Sequence, residues 1–237
     1  MPAWCWRKRG VRREVQEGEV AAVQRLLGDV SLAGRLVTGD ALYCQRAFCA
    51  QVLAAGGDYL LTVKGNQPAL YHAIRRLFTV AAVPLSVSTT EQQDRHGDRY
   101  ELRRLTAWPL AEAPLAWPGL CQVVAVTRTV WRKGERRAQT RYSITSLSAA
   151  QADAPLLLLV RRGHWRIENR VHWRRDVTLG EDACQVRSGA APEVLAALRN
   201  ALLNLLHLRG VTNVAAALRA HAWQPGTALQ LLGLDVV

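Results

Sequence analysis

The chain has 237 residues, enough for one large domain or for a core carrying a sizeable insertion. Hydrophobic residues make up 49% of it, which excludes global disorder, and 31 Lys and Arg against 19 Asp and Glu leave a formal charge of +12, which points to a polyanion such as DNA or RNA. The five cysteines (Cys5, Cys44, Cys49, Cys121 and Cys184) include no C-x-x-C pair, which argues against a zinc knuckle or disulfide framework, and no apolar run suits a signal peptide or a membrane span, so a cytoplasmic protein is expected.

Taken in chain order, residues 1–79 alternate helix and strand. "EGEVAAVQRLLGDV" has a helical apolar period closed by Gly28, and "GRLVTGD" reads as a short buried strand ending at Asp40. "AFCAQVLAAGG" is a helix stopped by Gly56 and Gly57, "DYLLTVKGN" a second strand, and "PALYHAIRRLF" a helix opened by Pro68. This order predicts an α/β unit with adjacent parallel strands. Residues 80–152 change character. "DRYELRRLTAW", "CQVVAVTRTVWRK" and "RAQTRYSITSL" are strand-like, with Lys133-Gly134 as a hairpin turn, and together predict a small inserted antiparallel sheet. Residues 153–237 read as helical: one or two helices over "DAPLLLLVRRGHWRIENRVHWRR", interrupted or bent near Gly163, then a buried helix over "PEVLAALRNALLNLLHLRG".

The chemistry concentrates in "RRGHWRIENRVHWRRDVTLGED". Wound as a helix at about 100° per residue, it brings Arg161, His164, Glu168, His172 and Arg175 within roughly 80° of one another, on one face. Arg162, Arg166, Arg170 and Arg174 form a separate ridge suited to phosphates. A zinc site built from His164, Glu168 and His172 fails on reach, because the outer two sit about 12 Å apart along one helix axis and zinc ligands bind at about 2 Å. Glu168 instead wants a carboxylate brought by a strand. Asp40 is the leading partner because open α/β sheets place ligands beyond strand ends, although the same residue type there also serves as a cap. The two would make an oxygen site for Mg²⁺. "VKGNQP" adds Lys64 and Asn66 at the same sheet edge, as phosphate contacts or, for Asn66, as an ordinary cap.

"LVTGDALYCQRAFCAQVLAAGGDYLLTVKGNQPAL" resembles the segment that carries the second acid in bacterial insertion-sequence transposases of the DDE type, in the H-repeat-associated group. "DRHGDRYELRRLTAW" resembles that group's His-Gly-Arg segment, with Asp98 where Arg is usual; "WPGL", "TRYSITSL" and the segment from "RGHWRIENRVHW" to "ALLNLL" follow in the same order. The resemblance runs from about Gly34 to about Gly210. It implies an RNase H-like core with a β-rich insertion and a C-terminal helical region. It makes Asp40 the second acid and Glu168 the third, with two Mg²⁺ ions and transposon DNA as partners. The broader group's Tyr, Arg and Lys around this Glu are replaced by Arg161, His164 and Arg175, so only basic character carries over. The first acid's Asp-Gly-Lys does not occur. The expectation is therefore an incomplete core without its first strands, part of a DNA-transposition enzyme that binds DNA but is inactive or nearly so alone. The rival expectation is a non-enzymatic DNA-binding remnant that interferes with intact transposase through mixed complexes; a homo-oligomer is the other assembly considered.

Overall fold

The computed structural model describes residues 18–80, 86–110, 115–167 and 173–233. They fall into two units, one within residues 11–164 and one within residues 165–237, each taken by itself below.

In the first unit, α1 (Glu19–Gly28) precedes β1 (Leu36–Gly39), which runs into a single 3₁₀ turn, Ala41–Tyr43. α2 (Arg46–Ala54), β2 (Asp58–Val63) and α3 (Pro68–Val80) follow. β1 and β2 are parallel neighbours, as their connection through a helix requires. Four long antiparallel strands come next: β3 (Ser88–His96), β4 (Arg99–Pro109), β5 (Gln122–Arg132) and β6 (Glu135–Thr145). All six strands form one mixed sheet in the order β1-β2-β6-β5-β4-β3. The inserted strands thus continue the α/β sheet instead of making a sheet of their own. Pairing of Tyr142–Thr145 with Leu60–Val63 is the seam. Those four β6 residues are buried while the strand's first seven are exposed, so one strand serves both the core and the projecting hairpin.

Helices cover both faces. On one, Phe48, Cys49 and Val52 of α2 and Ile74 of α3 pack on Tyr59, Leu61, Val123, Tyr142 and Ile144. On the other, α4 (Ala154–Ile167) lays Ala154, Leu157 and Leu158 on Leu60, Leu105, Val124 and Val126. Alternation along each strand feeds the two cores. α4 continues through Gly163 without a break, against the expected interruption there: its apolar stripe is already committed to the sheet, which outweighs the roughly 1 kcal/mol cost of a helical glycine. β3 was not foreseen at all. Its "STTEQQDRH" is polar, and its alternating half-exposed pattern suits an edge strand. The β5–β6 hairpin turns through Lys133 (φ 50°) and Gly134 (φ 79°), the two left-handed residues that a type I′ turn requires.

In the second unit, a π-helical turn (Arg174–Thr178) precedes α5 (Ala191–Leu208), α6 (Val214–Trp223) and α7 (Pro225–Leu231). Its core is small, built on Leu203, Leu206 and Val214. α5 was expected to be buried; Leu203 and Leu206 are, while Val194, Leu198 and Leu208 are exposed. No helix among the described residues is long and apolar enough to cross a membrane.

Candidate active site

Asp40 leaves the tip of β1 with its side chain at the surface, where Oδ1 accepts a hydrogen bond of 2.9 Å from the amide of Leu42 and caps the 3₁₀ turn. The cap uses one carboxylate oxygen, so capping and cation binding can coexist in one side chain. Gly39 makes the approach possible. A Cβ there would lie 2.9 Å from Leu61 Cδ2 and 3.2 Å from Tyr43 Cβ, so a larger residue would push the turn off the strand end. Tyr43 donates a 2.6 Å hydrogen bond to Glu19 Oε1 from α1. Burial, that bond and the negative charges of Glu19 and Asp40 all raise its pKa, so it stays a neutral donor.

The loop after β2 lies against this turn. Asn66 Nδ2 donates to the carbonyl of Ala41 at 2.5 Å, and Gln67 Nε2 to that of Cys44 at 3.0 Å. Through Nδ2, Asn66 clamps the second loop to the first, immediately beyond Asp40. Lys64, exposed, follows the last residue of β2 at the same edge.

α4 reaches β1 from the opposite face of the sheet to α2. His164 Nδ1 and Thr38 Oγ1 are hydrogen-bonded at 3.1 Å. Thr38 stands two residues before Asp40, and side chains two apart share a strand face. Arg161 is turned inward, where its Nη1 donates to Ser143 Oγ of β6. Burial, with the like charge of Arg141, holds its guanidinium pKa down to about 10. Arg162 lies 3.4 Å from Asp94 Oδ2 of β3. Arg161 thus gives its donor inward, whereas the Arg162 side chain keeps 39% of its surface in solvent.

Of the remaining expected contacts, Glu168, Arg170 and His172 lie outside the described residues, as does the side chain of Arg166. Within the second unit, Arg174 is hydrogen-bonded to His207 Nε2 at 2.5 Å and donates to the carbonyl of Thr212 at 2.8 Å. Arg175 is buried, and its Nε and Nη2 grip Glu181 in a two-pronged ion pair. Both arginines serve the packing of their own unit. Among the described residues no three His, Cys, Asp or Glu side chains converge as a metal site. A hard cation such as Mg²⁺ takes one or two carboxylates and fills its other positions with water or phosphate, and the exposed Asp40 suits that chemistry as one ligand.

Comparison with known families decides what this arrangement belongs to. The model of the transposase DDE domain matches residues 13–205. The chain belongs to the DDE transposases. "Putative protein YbfL" of Escherichia coli K12 is 31% identical over 205 residues, and "H repeat-associated putative transposase YhhI" of the same organism 30% over 205, each alignment covering 83% of this chain and 53% of the relative. "Putative transposase YncI" of Escherichia coli O157:H7 is 30% identical over 201 residues. This transposase is thus of the H repeat-associated group, and the chain spans about half the length of the curated relatives it matches, 53% for the first two.

Sequence reasoning missed one prominent feature of the transposase chain. Glu101 of β4 is only 4% exposed and carries three arginines: Arg128 on both oxygens at 2.7 and 2.8 Å, Arg99 at 2.6 Å, and Arg103. The hydrogen bonds of Arg128, with the charges of Arg103 and Arg128, hold its pKa down to about 2 against burial, which pulls the other way. The signal was present in "RYELR", where Arg99, Glu101 and Arg103 alternate at the period of one strand face.

Proposed function

We propose that this chain contributes the second and third acids, Asp40 and Glu168, of a transposase that cuts and joins DNA by metal-assisted phosphodiester transfer, on a core of RNase H-like type. The observation that carries the reading is the 3.1 Å hydrogen bond between His164 and Thr38. Thr38 precedes Asp40 by two residues at the end of β1, and His164 precedes Glu168 by four in the sequence. The parallel pair β1–β2, flanked by α2 and α3 on one face and α4 on the other, supports the fold reading. A bound Mg²⁺ would supply an activated water or 3′-hydroxyl and charge neutralisation at the leaving oxygen.

The protein's own groups have definite parts. Asp40 and Glu168 would hold the cation, with the Leu42 amide fixing the Asp40 carboxylate through its other oxygen. Asn66 and Gln67 hold the β2 loop beside the turn, so that Lys64 stands at the edge where a scissile phosphate would arrive. Mn²⁺ titration of the chain, read by the electron-spin signal of free Mn²⁺, tests the pairing. Asp40→Asn and Glu168→Gln should each weaken binding by more than tenfold, and a strand-transfer assay should show little cleavage by the chain alone. Unchanged Mn²⁺ affinity in both variants would sink the assignment.

A further inference from the structure

Opposite α2 and α3, among the described residues of the first unit, α4 packs over the near half of the sheet face, at Leu105, Val124 and Val126, and reaches Asp94 of β3 through Arg162. The far halves of β4, β5 and β6 continue beyond those apolar contacts. Register places Arg99, Arg103, Arg128, Arg132, Arg137 and Arg141 all on that one face, against the acids Asp94, Glu101 and Glu135. Arg99 faces Arg132, and Arg103 faces Arg128, directly across the β4–β5 ladder. Like charges directly opposite destabilise a sheet, so such an array is costly unless something organises it. Glu101 does so from beneath, fixing three of the guanidiniums. A guanidinium has five donors; Arg128 uses Nε and Nη2 on Glu101, yet its side chain remains 42% exposed, and those of Arg132 and Arg137 are 64% and 84% exposed. Donors are thus left facing outward.

We propose that this face of the projecting hairpins is a separate binding surface for the phosphate backbone of duplex DNA, with Glu101 as the positioning residue that holds its guanidiniums in a fixed array. The exposed cations are arginines, whose planar fork matches phosphate oxygens, and they stand on rigid strands. The contact is with backbone only, so it is independent of sequence and of divalent metal. It therefore stands or falls apart from the Asp40–Glu168 assignment.

The test is binding of a random-sequence duplex by the whole chain in the presence of a metal chelator, across about 50 to 200 mM salt. Arg132→Gln, Arg137→Gln and Arg141→Gln together remove three charges from the proposed face. Arg95→Gln, Arg104→Gln and Arg136→Gln remove three from the opposite face of the same projecting sheet. Each phosphate contact contributes about 0.9 to the slope of log affinity against log salt, so the first triple should flatten the slope by about 2.7 and reduce the salt sensitivity over that range by about 40-fold. The second triple should change it far less. A loss of slope in the first triple no greater than in the second would overturn the proposal. Glu101→Gln separates positioning from net charge: removing an acid should tighten binding to a polyanion on charge alone, whereas loss of the ordered array weakens it. Tighter binding by folded Glu101→Gln would overturn the part assigned to Glu101.

Discussion

Replacing Glu101 by Gln keeps the shape of the side chain and removes its charge, leaving Arg99, Arg103 and Arg128 converging on a neutral amide. The folded pKa of about 2 against the ordinary 4.5 is worth about 3 kcal/mol, at about 1.36 kcal/mol per pKa unit. Because the folded value is depressed, this stability is fully present above about pH 4.5 and is lost as the pH falls through the folded value near 2. Arg99 and Arg128 keep 39% and 42% of their side-chain surface in solvent, which screens part of the repulsion left behind. The variant should therefore lose about 2–3 kcal/mol at pH 7 and melt roughly 5–10 °C lower. Urea unfolding followed by circular dichroism at pH 7, 5 and 3 measures the gap. At pH 3 roughly 60% of the carboxylate's contribution has gone, so the two proteins should differ by only about 1 kcal/mol. A gap that stays constant from pH 7 to pH 3, or one below about 0.5 kcal/mol throughout, would refute the charge-based account and leave Glu101 as a packing residue.

Gly39→Ala should cost about 1–3 kcal/mol and weaken Mn²⁺ binding, because its new Cβ meets Leu61 and Tyr43 at the residue before Asp40; an unchanged urea midpoint would show that the turn yields freely. Arg175→Ala should destabilise the helical unit by about 2–4 kcal/mol, seen as faster proteolysis after residue 164, because Glu181 loses its partner from a buried pair. Were Arg175 instead a phosphate contact, the same variant would keep its stability and flatten the salt dependence of DNA binding by about 0.9.

The elements that sequence made legible are those whose signals are local. β1 and β2 stand between glycines and helical periods, and the two residues of the β5–β6 turn are of the type that tolerate left-handed backbone. Asp40 could be located at a strand end for the same reason, but its cap on Leu42 and the clamp from Asn66 depend on which loops the parallel pair brings together. β3 escaped notice because an edge strand needs no apolar face of its own and draws its order from β4. The arginines around the motif show a further limit. Winding one segment as a helix says which side chains share a face, but not what that face meets. Arg161 meets Ser143, eighteen residues back, Arg175 meets Glu181, six ahead, and Arg174 meets His207, thirty-three ahead.

That sorting bears on where the positive charge of the chain acts. An arginine paired with an internal carboxylate adds little to the field outside, because its charge is neutralised. Arg175 is of this kind, while Arg174 and the buried Arg161 keep their charge and give donors to neutral partners, the carbonyl of Thr212 and the hydroxyl of Ser143. The arginines of β4, β5 and β6 differ, since one buried acid is shared by three of them and the partners of Arg132 and Arg137 are exposed single acids. Among the described residues, the most exposed of these arginines therefore stand on the projecting strands. A strand presents alternate side chains on one side at a fixed spacing of about 7 Å, two residues of rise, whereas a helix spreads consecutive arginines around its circumference. For a rigid, regularly charged partner the sheet is the better physical platform, which is why the salt dependence of the face variants is the measurement on which the DNA-binding assignment turns.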